Sequence, residues 1–522
     1  MRLLLASLLV ASLDAQISTS QYDNARTGAN IHETVLNPRN VEVNRFGRVF
    51  RLPVDGDIYA QPLYLPNLAI PGKGTHNVVF VATEHDSVYA FDAAAEPKEP
   101  LWKVNFTDST RQITTIPLEN VHCPFLNPEV GITSTPVIDA QSGTLYVLVR
   151  TKESGRFWQR LHALDVRTGR EKFGGPVVIR ASVESRVKSL FGFGPSQTIE
   201  FLALHENPRA ALLLDRGTVY LTWGSSCDVG PYYGWVLAYD ARTLRQKGVL
   251  NTAPEAALSG IWQSDTGPAA DEEGNVYTIT GNGVFNAASG GRDFGDSVIK
   301  VGFTTAAFAV KDYFTPSDQE QRNRTDADLG SGGPLLVPPQ PGSRSRLLIA
   351  VGKGHELFVL DRERMGKFRL GNNRHALQMV RLGGGVFGAP AYWNGHIYVS
   401  AEDDVLKDFR IEGDRLTLSS QGEMRFTPPA AIPSVSANGS QDGIVWLIET
   451  VRGHTSNTPA VLHAYDAQDL SLELYSSEQN SGRDRAGAAL HFTIPVVANG
   501  RVYVPSSREL DVYGLLSSGN AK

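Results

Sequence analysis

The chain repeats one pattern of apolar and polar positions eight times between residues 61 and 513. A copy starts with small residues and usually a Pro. It continues with an apolar stretch, a turn, a strand of the type Val-Tyr-Val, a second turn and an alternating strand that often ends at Asp. Runs of β-branched and aromatic residues between turns are typical of short strands, so each copy predicts three strands and a weaker fourth. The second strand returns at residues 78–82, 145–147, 219–221, 276–279, 347–350, 397–399, 444–447 and 502–504.

Four short antiparallel strands in each of many repeats indicate the blades of a β-propeller. The last copy ends near Leu516 before any fourth strand, whereas an unassigned strand at residues 48–52 precedes the first copy. We therefore predict an all-β, eight-bladed propeller of four-stranded antiparallel blades, in which the N-terminal strand completes the last blade and removes an exposed edge. Two β-sandwiches would not explain the regular return of the same elements.

The repeats also divide the chain into regions. Residues 1–15 have a charged start, an apolar run of about eleven residues and a small residue at the end, which is typical of a secretory signal peptide. We predict an N-terminal extension at 16–45, a single propeller domain at 46–516 and a C-terminal tail at 517–522. No later run approaches the ~20 apolar residues of a spanning helix, so we expect a periplasmic or extracellular protein without a transmembrane segment.

Composition narrows the class of protein. Of the 522 residues 41% are hydrophobic and 20% charged, with a net charge of −6, which describes a folded globular chain and speaks against a nucleic-acid partner. Cys123 and Cys227 are the only cysteines and lie 104 residues apart, so they either form a disulfide or stay buried. Without a C-x-x-C pair, zinc-thiolate and c-type haem sites are excluded.

One phrase of the repeat resembles a known family. Residues 161–169 read Leu-His-Ala-Leu-Asp-Val-Arg-Thr-Gly, with partial echoes at 238–244 and 464–466. This phrase is similar to the A-x-D-x-x-T-G-x-x-x-W repeat of PQQ-type propellers, the eight-bladed quinoprotein alcohol dehydrogenases and their non-enzymatic relatives. The resemblance covers about residues 46–516 and bears on the fold more than on activity, because the phrase packs neighbouring blades together.

The resemblance implies a site that can be compared residue by residue. In the dehydrogenases PQQ stacks between a Trp and a vicinal disulfide, and Ca²⁺ is held by Glu, Asn and sometimes Asp beside an Asp base. By position the resemblance implies Glu153 as a calcium ligand, Asp265 as the base and a metal ligand, and Trp223 or Trp262 as the stacking platform. The vicinal cysteines are missing, and serine, a poor calcium ligand, stands where the Asn is expected.

Small residues that precede the first strand of several repeats predict a funnel around the propeller axis. Polar and aromatic residues beside them would face a ligand there, or would only pack the channel. The funnel candidates include Thr133, Trp262, Gln263, Asp265, Asp328 and Phe387, with Glu129 and Ser434, and the family resemblance adds Trp223 as a cofactor contact. The Gly-rich stretch at 383–388 matches a dinucleotide motif literally, but a strand follows it where that motif needs a helix.

Two functions of different class follow from these observations. The depleted catalytic set favours an exported, non-catalytic propeller that binds a small molecule or another exported protein on its funnel face. The alternative is a divergent quinoprotein alcohol or sugar dehydrogenase that uses PQQ and Ca²⁺, with Asp265 as its base.

Overall fold

The computed structural model describes residues 16–517 apart from 95, 98, 125, 127, 187–196, 306 and 451–457. The predicted signal peptide, and residues 518–522 of the predicted tail, lie outside the described residues. Eight antiparallel sheets of about four strands each surround a central channel, so the all-β, eight-bladed propeller is confirmed. None of the helices in the described part of the chain is both long and apolar enough to cross a membrane.

Each blade runs outward from the channel, from its first strand to its fourth. The strands of blades 1 to 4 are Leu63–Ile70, Gly74–Thr83, Ser87–Asp92 and Trp102–Asn105; Val137–Asp139, Thr144–Glu153, Arg156–Asp165 and Val177–Val178; Leu213–Asp215, Thr218–Ser225, Trp235–Asp240 and Gln246–Asn251; and Ala269–Ala270, Val276–Ile279, Val298–Phe303 and Phe308–Thr315. Those of blades 5 to 8 are Leu335–Leu336, Leu347–Val351, Glu356–Asp361 and Gln378–Arg381; Ala391–Trp393, His396–Val399, Asp404–Glu412 and Arg415–Phe426; Ser434–Asn438, Gln441–Glu449, Val461–Asp466 and Asp469–Ser476; and Val496–Ala498, Arg501–Ser506, Glu509–Leu515 and Phe46–Pro53.

Short elements decorate the blades. The additional strands are Ala29–Asn30, Ile113–Thr114, Ile116–Pro117, Glu129–Val130, Ser182–Glu184, Thr198–Glu200, Glu206–Asn207 and Lys367–Phe368. The α-helices are Leu118–Val121, Gln319–Thr325 and Ser481–Asp484, and the 3₁₀ turns are Ser109–Arg111, Ala287–Ser289, Leu329–Ser331 and Ser477–Asn480. Most of them lie between blades or in the N-terminal segment. Ala287–Ser289 lies in a loop within blade 4, and Lys367–Phe368, from a loop within blade 5, adds a short parallel strand to the outer edge of blade 4.

The N-terminal strand closes the ring, as the sequence predicts. Phe46–Pro53 pairs antiparallel with Glu509–Leu515, with Phe46 opposite Leu515. The Phe46 ring is fully buried. It packs edge-on against Tyr475 with 4.9 Å between ring centroids, and at a tilted angle against Trp446 at 5.5 Å. The last blade is therefore built from both ends of the described chain.

Apolar side chains fill the spaces between neighbouring blades. Residues that alternate along each strand point to its two faces, so one strand supplies two inter-blade cores. Trp223 and Trp235 of blade 3 pack on blade 2 in one such core. The Asp of the repeated phrase holds the following turn, since Asp165 Oδ1 accepts the N–H of Arg167 at 2.9 Å. Trp102 of blade 1 donates to the Val166 carbonyl of blade 2 at 2.9 Å and joins the two blades.

The N-terminal segment, residues 17–33, circles the far end of the channel and contacts all eight blades. Its hydrogen bonds reach the inner strands at Tyr64, Ile138, Leu214, Ala270, Leu336, Tyr392, Val435 and Val497. Thr19, Ser20, Gln21 and Arg26 of this segment are buried. The segment therefore closes one end of the channel and leaves a cup that opens on the other face.

Arg26 fixes this segment to the blades. Its side chain is fully buried and donates to the carbonyl oxygens of Pro268 at 3.0 Å and Ser20 at 2.6 Å, and to Thr19 Oγ1 at 2.8 Å. A weaker bond at 3.3 Å reaches the Leu212 carbonyl. Burial lowers the pKa of Arg26 to about 10, so the guanidinium stays charged at neutral pH.

We expect Arg26→Met to lower the free energy of unfolding by about 3 kcal/mol or more, because buried carbonyl groups lose a charged donor. Arg39→Ala is the matched control in the same extension. The Arg39 side chain is 75% exposed and pairs only with Asp442, so its loss should cost less than about 1 kcal/mol. Denaturant titrations of both variants measure the difference. Equal midpoints for the two would show that Arg26 does not hold the segment.

Candidate functional site

A cavity of about 420 Å³ lies in the funnel at the open end of the channel. Its walls come from two kinds of segment. The connections that lead into the inner strands of blades 2 to 8 supply most of the lining, and the turns between the second and third strands of blades 3, 5 and 6 supply the rest. The residues that matter for its chemistry are Arg209, Trp262, Asp328, Lys353, Phe387 and Phe492, together with Cys123 and Cys227. The cavity is thus built at the hub, where side chains from many blades converge.

Trp262 forms part of the floor of this cavity. It comes from the connection that enters blade 4 and packs edge-on against Tyr232, with 5.9 Å between ring centroids. A side chain at Gly281 would lie 2.3 Å from Asp328 Oδ1 and 2.8 Å from Trp262 Cδ1. Gly281 is therefore required for the carboxylate and the indole to approach each other.

Cys123 and Cys227 form a disulfide on the wall of the same cavity. The two Cα atoms are 5.3 Å apart although 104 residues separate them in sequence. The bond attaches the segment between blades 1 and 2 to the turn after Ser225 in blade 3. A disulfide and the Trp262 indole therefore line one cavity, even though the cysteines are not adjacent in sequence.

Lys353 and two carboxylates form a charged group on another wall. Lys353 Nζ lies 2.7 Å from Asp328 Oδ2 and 3.0 Å from Asp326 Oδ1. The Asn282 backbone N–H donates to Asp328 Oδ1 at 2.7 Å, and the Asn282 amide donates to Asp326 Oδ1 at 2.8 Å. Burial raises the pKa of Asp328 to about 6, although Lys353 acts in the opposite direction.

Arg209 supplies a cation that is not paired in this way. Its guanidinium stacks on Phe492 with 4.4 Å to the ring centroid, and Phe492 in turn stacks on Phe387 at 5.8 Å. Its side chain forms no hydrogen bond or ion pair with any residue that the structure describes. Burial lowers the pKa of Arg209, and the nearby carboxyl of Asp265 raises it. The cavity therefore combines an accessible cation with aromatic faces, an arrangement that can hold an anion.

Four of the predicted site residues lie in or next to the cavity. Trp262, Asp328 and Phe387 line it, and Asp265 is buried behind it with 4% of its surface exposed. Asp265 Oδ2 has no hydrogen-bond partner in the described chain, and burial raises the pKa of this carboxyl well above its usual range. Asp265 is thus held in an environment that favours its neutral form.

The other predicted residues are placed elsewhere. Trp223 is fully buried between blades 2 and 3, where its Nε1 donates to Gln159 Oε1 at 2.8 Å. Gln263 is buried and donates to the Gly267 carbonyl at 3.0 Å. Thr133 is buried in the connection that enters blade 2, and Glu153 forms an ion pair with Arg160 at the edge of that blade. The structure shows no contact that joins Glu153 to Asp265.

The cavity residues do not fit a calcium ion held by several carboxylates. Asp326 and Asp328 are both engaged by Lys353, and Asp228 accepts a hydrogen bond from Tyr232 at 2.6 Å. Within the described ranges, three acidic side chains come together as a possible metal site at Asp271, Glu273 and Glu363, which do not line the cavity. Ca²⁺ needs six to eight oxygen ligands, so the metal part of a PQQ site is not assembled here, whereas the aromatic and sulfur surfaces suit a planar group.

Sequence reasoning missed Arg209, Lys353 and Phe492. Phe492 stands just before the inner strand of blade 8, as Phe387 does before that of blade 6, so this offset was a usable signal. Lys353 lies in the turn between the second and third strands of blade 5, and Arg209 in the connection that enters blade 3. Neither Lys353 nor Arg209 stands at a position where the repeat has a recurring residue type, so the repeat pattern did not indicate them.

Solved structures with the same fold are known. The quinohemoprotein alcohol dehydrogenase from Comamonas testosteroni is similar over 96% of this chain and 80% of its own, with a TM-score of 0.61 and 14% identity. The quinohemoprotein alcohol dehydrogenase ADHIIG from Pseudomonas putida HK5 is similar over 98% of this chain and 82% of its own, with a TM-score of 0.60 and 14% identity. BamB from Moraxella catarrhalis is similar over 90% of this chain and 99% of its own, with a TM-score of 0.53 and 14% identity. No protein-family model and no curated protein matches the chain. At this identity the likeness shows the PQQ-type propeller fold.

Asp328 makes anion binding in the cavity depend on pH. Since its pKa is about 6, the carboxylate takes up a proton between about pH 7.5 and pH 5, and Lys353 loses a neutralising partner. The potential of the cavity then becomes more positive. We expect an aromatic carboxylate with a pKa below about 4 to bind several-fold more tightly at the lower pH.

Titration of the intrinsic tryptophan fluorescence with such a ligand at both pH values measures this effect, and Trp262→Ala corrects for the signal of the other six tryptophans. Asp328→Asn should lose most of the pH dependence, and because His491 also lines the cavity, His491→Gln is the control that isolates the part due to Asp328. A variant that keeps the full pH dependence would assign it to another residue.

Proposed function

We propose that this chain, which has the PQQ-type propeller fold, is an exported protein that binds a small, planar, anionic molecule in the funnel cavity without transforming it. One observation carries the proposal. The cavity places the unpaired guanidinium of Arg209 among the aromatic rings of Trp262, Phe387 and Phe492. Arg209 is half-buried and stacks on Phe492 but has no ion-pair partner in the described chain, so an anion in the cavity would form a charge-assisted hydrogen bond with it.

The shape and charge of the cavity define the ligand class. An aromatic ligand can stack on the Trp262 indole and contact the disulfide, and its carboxylate can reach Arg209. Of the acidic groups, Asp265 interacts most strongly with the charge of Arg209. Burial raises the pKa of Asp265, however, and favours its neutral form. The positive charge of Arg209 therefore remains available to a ligand.

Binding rather than catalysis is supported by the state of the acidic groups. The predicted base, Asp265, lies behind the wall of the cavity, and Asp328 is held by Lys353 and Asn282. The predicted metal ligand, Glu153, is committed to Arg160. Glu402 also lines the cavity, but among the described residues the acids of the cavity do not form a multidentate metal site beside an accessible base.

A quinoprotein oxidoreductase is the second candidate, and one observation favours it. Trp262 and a disulfide line the same cavity, the two surfaces between which PQQ stacks in the dehydrogenases that the sequence resembles. PQQ is itself planar and anionic, so both candidates predict that it binds. They differ in turnover: only the oxidoreductase reduces an electron-accepting dye when an alcohol or sugar is added.

PQQ is therefore the first ligand to test, by absorbance and thermal shift with and without Ca²⁺. A ligand at about 100 times its Kd should add about 2.7 kcal/mol to the free energy of unfolding. We expect Trp262→Ala and Arg209→Gln each to weaken binding at least tenfold, since they remove the stacking face and the counter-charge. Trp158→Ala is the matched control, because Trp158 is also partly exposed but lies outside the cavity.

The outcomes separate the candidates. Binding that depends on Trp262 and Arg209 without dye reduction supports the proposal, whereas dye reduction that requires PQQ and an alcohol or sugar replaces it with the oxidoreductase. If neither PQQ nor simpler aromatic carboxylates shift the melting temperature, the cavity does not bind planar anions, and an exported protein partner on the funnel face becomes the function to test.

Export is the part of the proposal that the disulfide supports. Disulfides persist in oxidising compartments. Cys123, which is buried, and Cys227, which is half-buried, form a disulfide. We expect the protein isolated from its source to begin at Gln16 and to carry no free thiol. Intact-mass measurement before and after reduction and alkylation tests both points. A chain that keeps residues 1–15 and reacts with alkylating reagent without reduction would contradict export.

A further inference from the structure

We infer that the protein binds a divalent, oxygen-preferring cation at a second site, buried between blades 1 and 2 and separate from the ligand cavity. The site is formed by the turn at residues 84–86 and by the connection at residues 131–134 that enters blade 2. It is distinct from the calcium position implied by the family resemblance, because it uses neither Glu153 nor Asp265.

Backbone geometry brings the oxygen atoms of this site together. The turn joins the second and third strands of blade 1, and Asp86 adopts a left-handed conformation with φ of 53°. A Cβ atom at Gly131 would lie 2.3 Å from the Glu84 carbonyl oxygen and 2.6 Å from Asp86 Oδ1. The Gly131 N–H donates to Glu84 Oε2 at 2.6 Å. The Glu84 carbonyl and the Asp86 carboxylate therefore approach the same point, which any side chain larger than that of glycine at position 131 would block.

The remaining oxygen atoms are buried without partners. The Asp86 side chain is 0% exposed, and neither of its carboxylate oxygens has a hydrogen bond of normal geometry to the described residues, although the Arg150 backbone N–H faces it and lowers its pKa. Glu84 Oε1 and the hydroxyls of Thr133 and Ser134 also lack such a bond, although the Thr133 hydroxyl faces the Glu84 carboxylate and lowers its pKa. Buried polar atoms are almost always satisfied in folded proteins, so five such atoms in two short segments call for a further binding partner.

Acidic groups outnumber cations around the site when all are ionised, although burial raises the pKa of Glu84 to about 7 and that of Asp86 well above its usual range. Glu84 and Asp86 interact with one buried cation, Arg150, which also faces Glu206. The hydrogen bonds of Arg150 go elsewhere, to Asn207 Oδ1 at 2.9 Å and the Leu204 carbonyl at 3.1 Å.

Two further acidic residues near the site, Glu129 and Asp57, already have partners of their own. Glu129 pairs with His85 at 2.9 Å, and Asp57 accepts a hydrogen bond from Ser507 at 2.6 Å. Arg150 alone therefore does not hold both Glu84 and Asp86 in their ionised forms, whereas a bound divalent cation would.

The ligand set selects the kind of cation. Carboxylate, carbonyl and hydroxyl oxygens suit Ca²⁺, whose coordination tolerates irregular geometry and six to eight ligands. No cysteine takes part, and the Nδ1 atom of His85 is engaged by Glu129. The acidic cluster at Asp271, Glu273 and Glu363 lacks these features: two of its members are exposed and Lys300 already lies 4.0 Å from Asp271.

Metal content and thermal stability of the intact protein test this inference. We expect about one Ca²⁺ per chain after gel filtration, measured by elemental mass spectrometry. EDTA should remove it and lower the melting temperature, and added Ca²⁺ should restore both. Asp86→Asn should lose the metal and the response to EDTA, and Thr133→Val, which keeps the side-chain shape, should weaken Ca²⁺ binding at least tenfold.

Two controls keep the result specific. Glu273→Gln alters the exposed cluster and should retain both the metal and the response. Trp262→Ala alters the ligand cavity and should also leave the Ca²⁺ response unchanged, which separates this site from PQQ binding. Wild-type protein that contains no metal and melts at the same temperature with EDTA and with Ca²⁺ would overturn the inference, and so would loss of the response in Glu273→Gln. These measurements on the wild type remain decisive if Asp86→Asn fails to fold.

Discussion

The antiparallel pairing of Phe46–Pro53 with Glu509–Leu515 is the constraint on which the rest of the molecule depends. A propeller with seven complete blades and one incomplete blade would expose a strand edge and leave the inner strands free to splay. Closing the ring fixes the angle between every pair of blades, because each inter-blade core is shared by two sheets. Only in the closed ring do connections from blades 2 to 8 converge on one cavity.

The N-terminal segment adds a second constraint at the opposite end of the channel. Since it bonds to the inner strands of all eight blades, displacement of any blade would break a contact at the hub. Arg26 places a charged donor in this segment, where its bonds to carbonyl oxygens of several elements favour one arrangement over others. The segment thus covers the far end of the channel, whereas the funnel face carries the cavity.

The sequence predicted the blades and the closure because both depend on local, repeated patterns. Trp262 and Phe387 were predicted for the same reason: they stand just before inner strands, where side chains point to the hub. Trp223 looked similar but lies within a strand, where alternation directs it into an inter-blade core. The disulfide spans 104 residues, and Arg209 has a role only through Phe492, which is distant in sequence. The course of residues 17–33 followed no repeat, so nothing in the pattern indicated that they cross every blade.

The two sites at the hub are connected by charge. Glu84 belongs to the buried acidic site, and its charge raises the pKa of Asp265, while Asp265 interacts with Arg209 on the cavity side. A cation beside Glu84 would reduce the negative potential at Asp265 and allow that residue to ionise more readily, which in turn would neutralise part of the Arg209 charge. The cation itself acts in the opposite direction, since it adds positive potential at the hub and attracts an anion. The larger of these two effects decides whether the cation strengthens or weakens anion binding. Because coupling between two binding sites is reciprocal, the anion must change the affinity for the cation by the same factor.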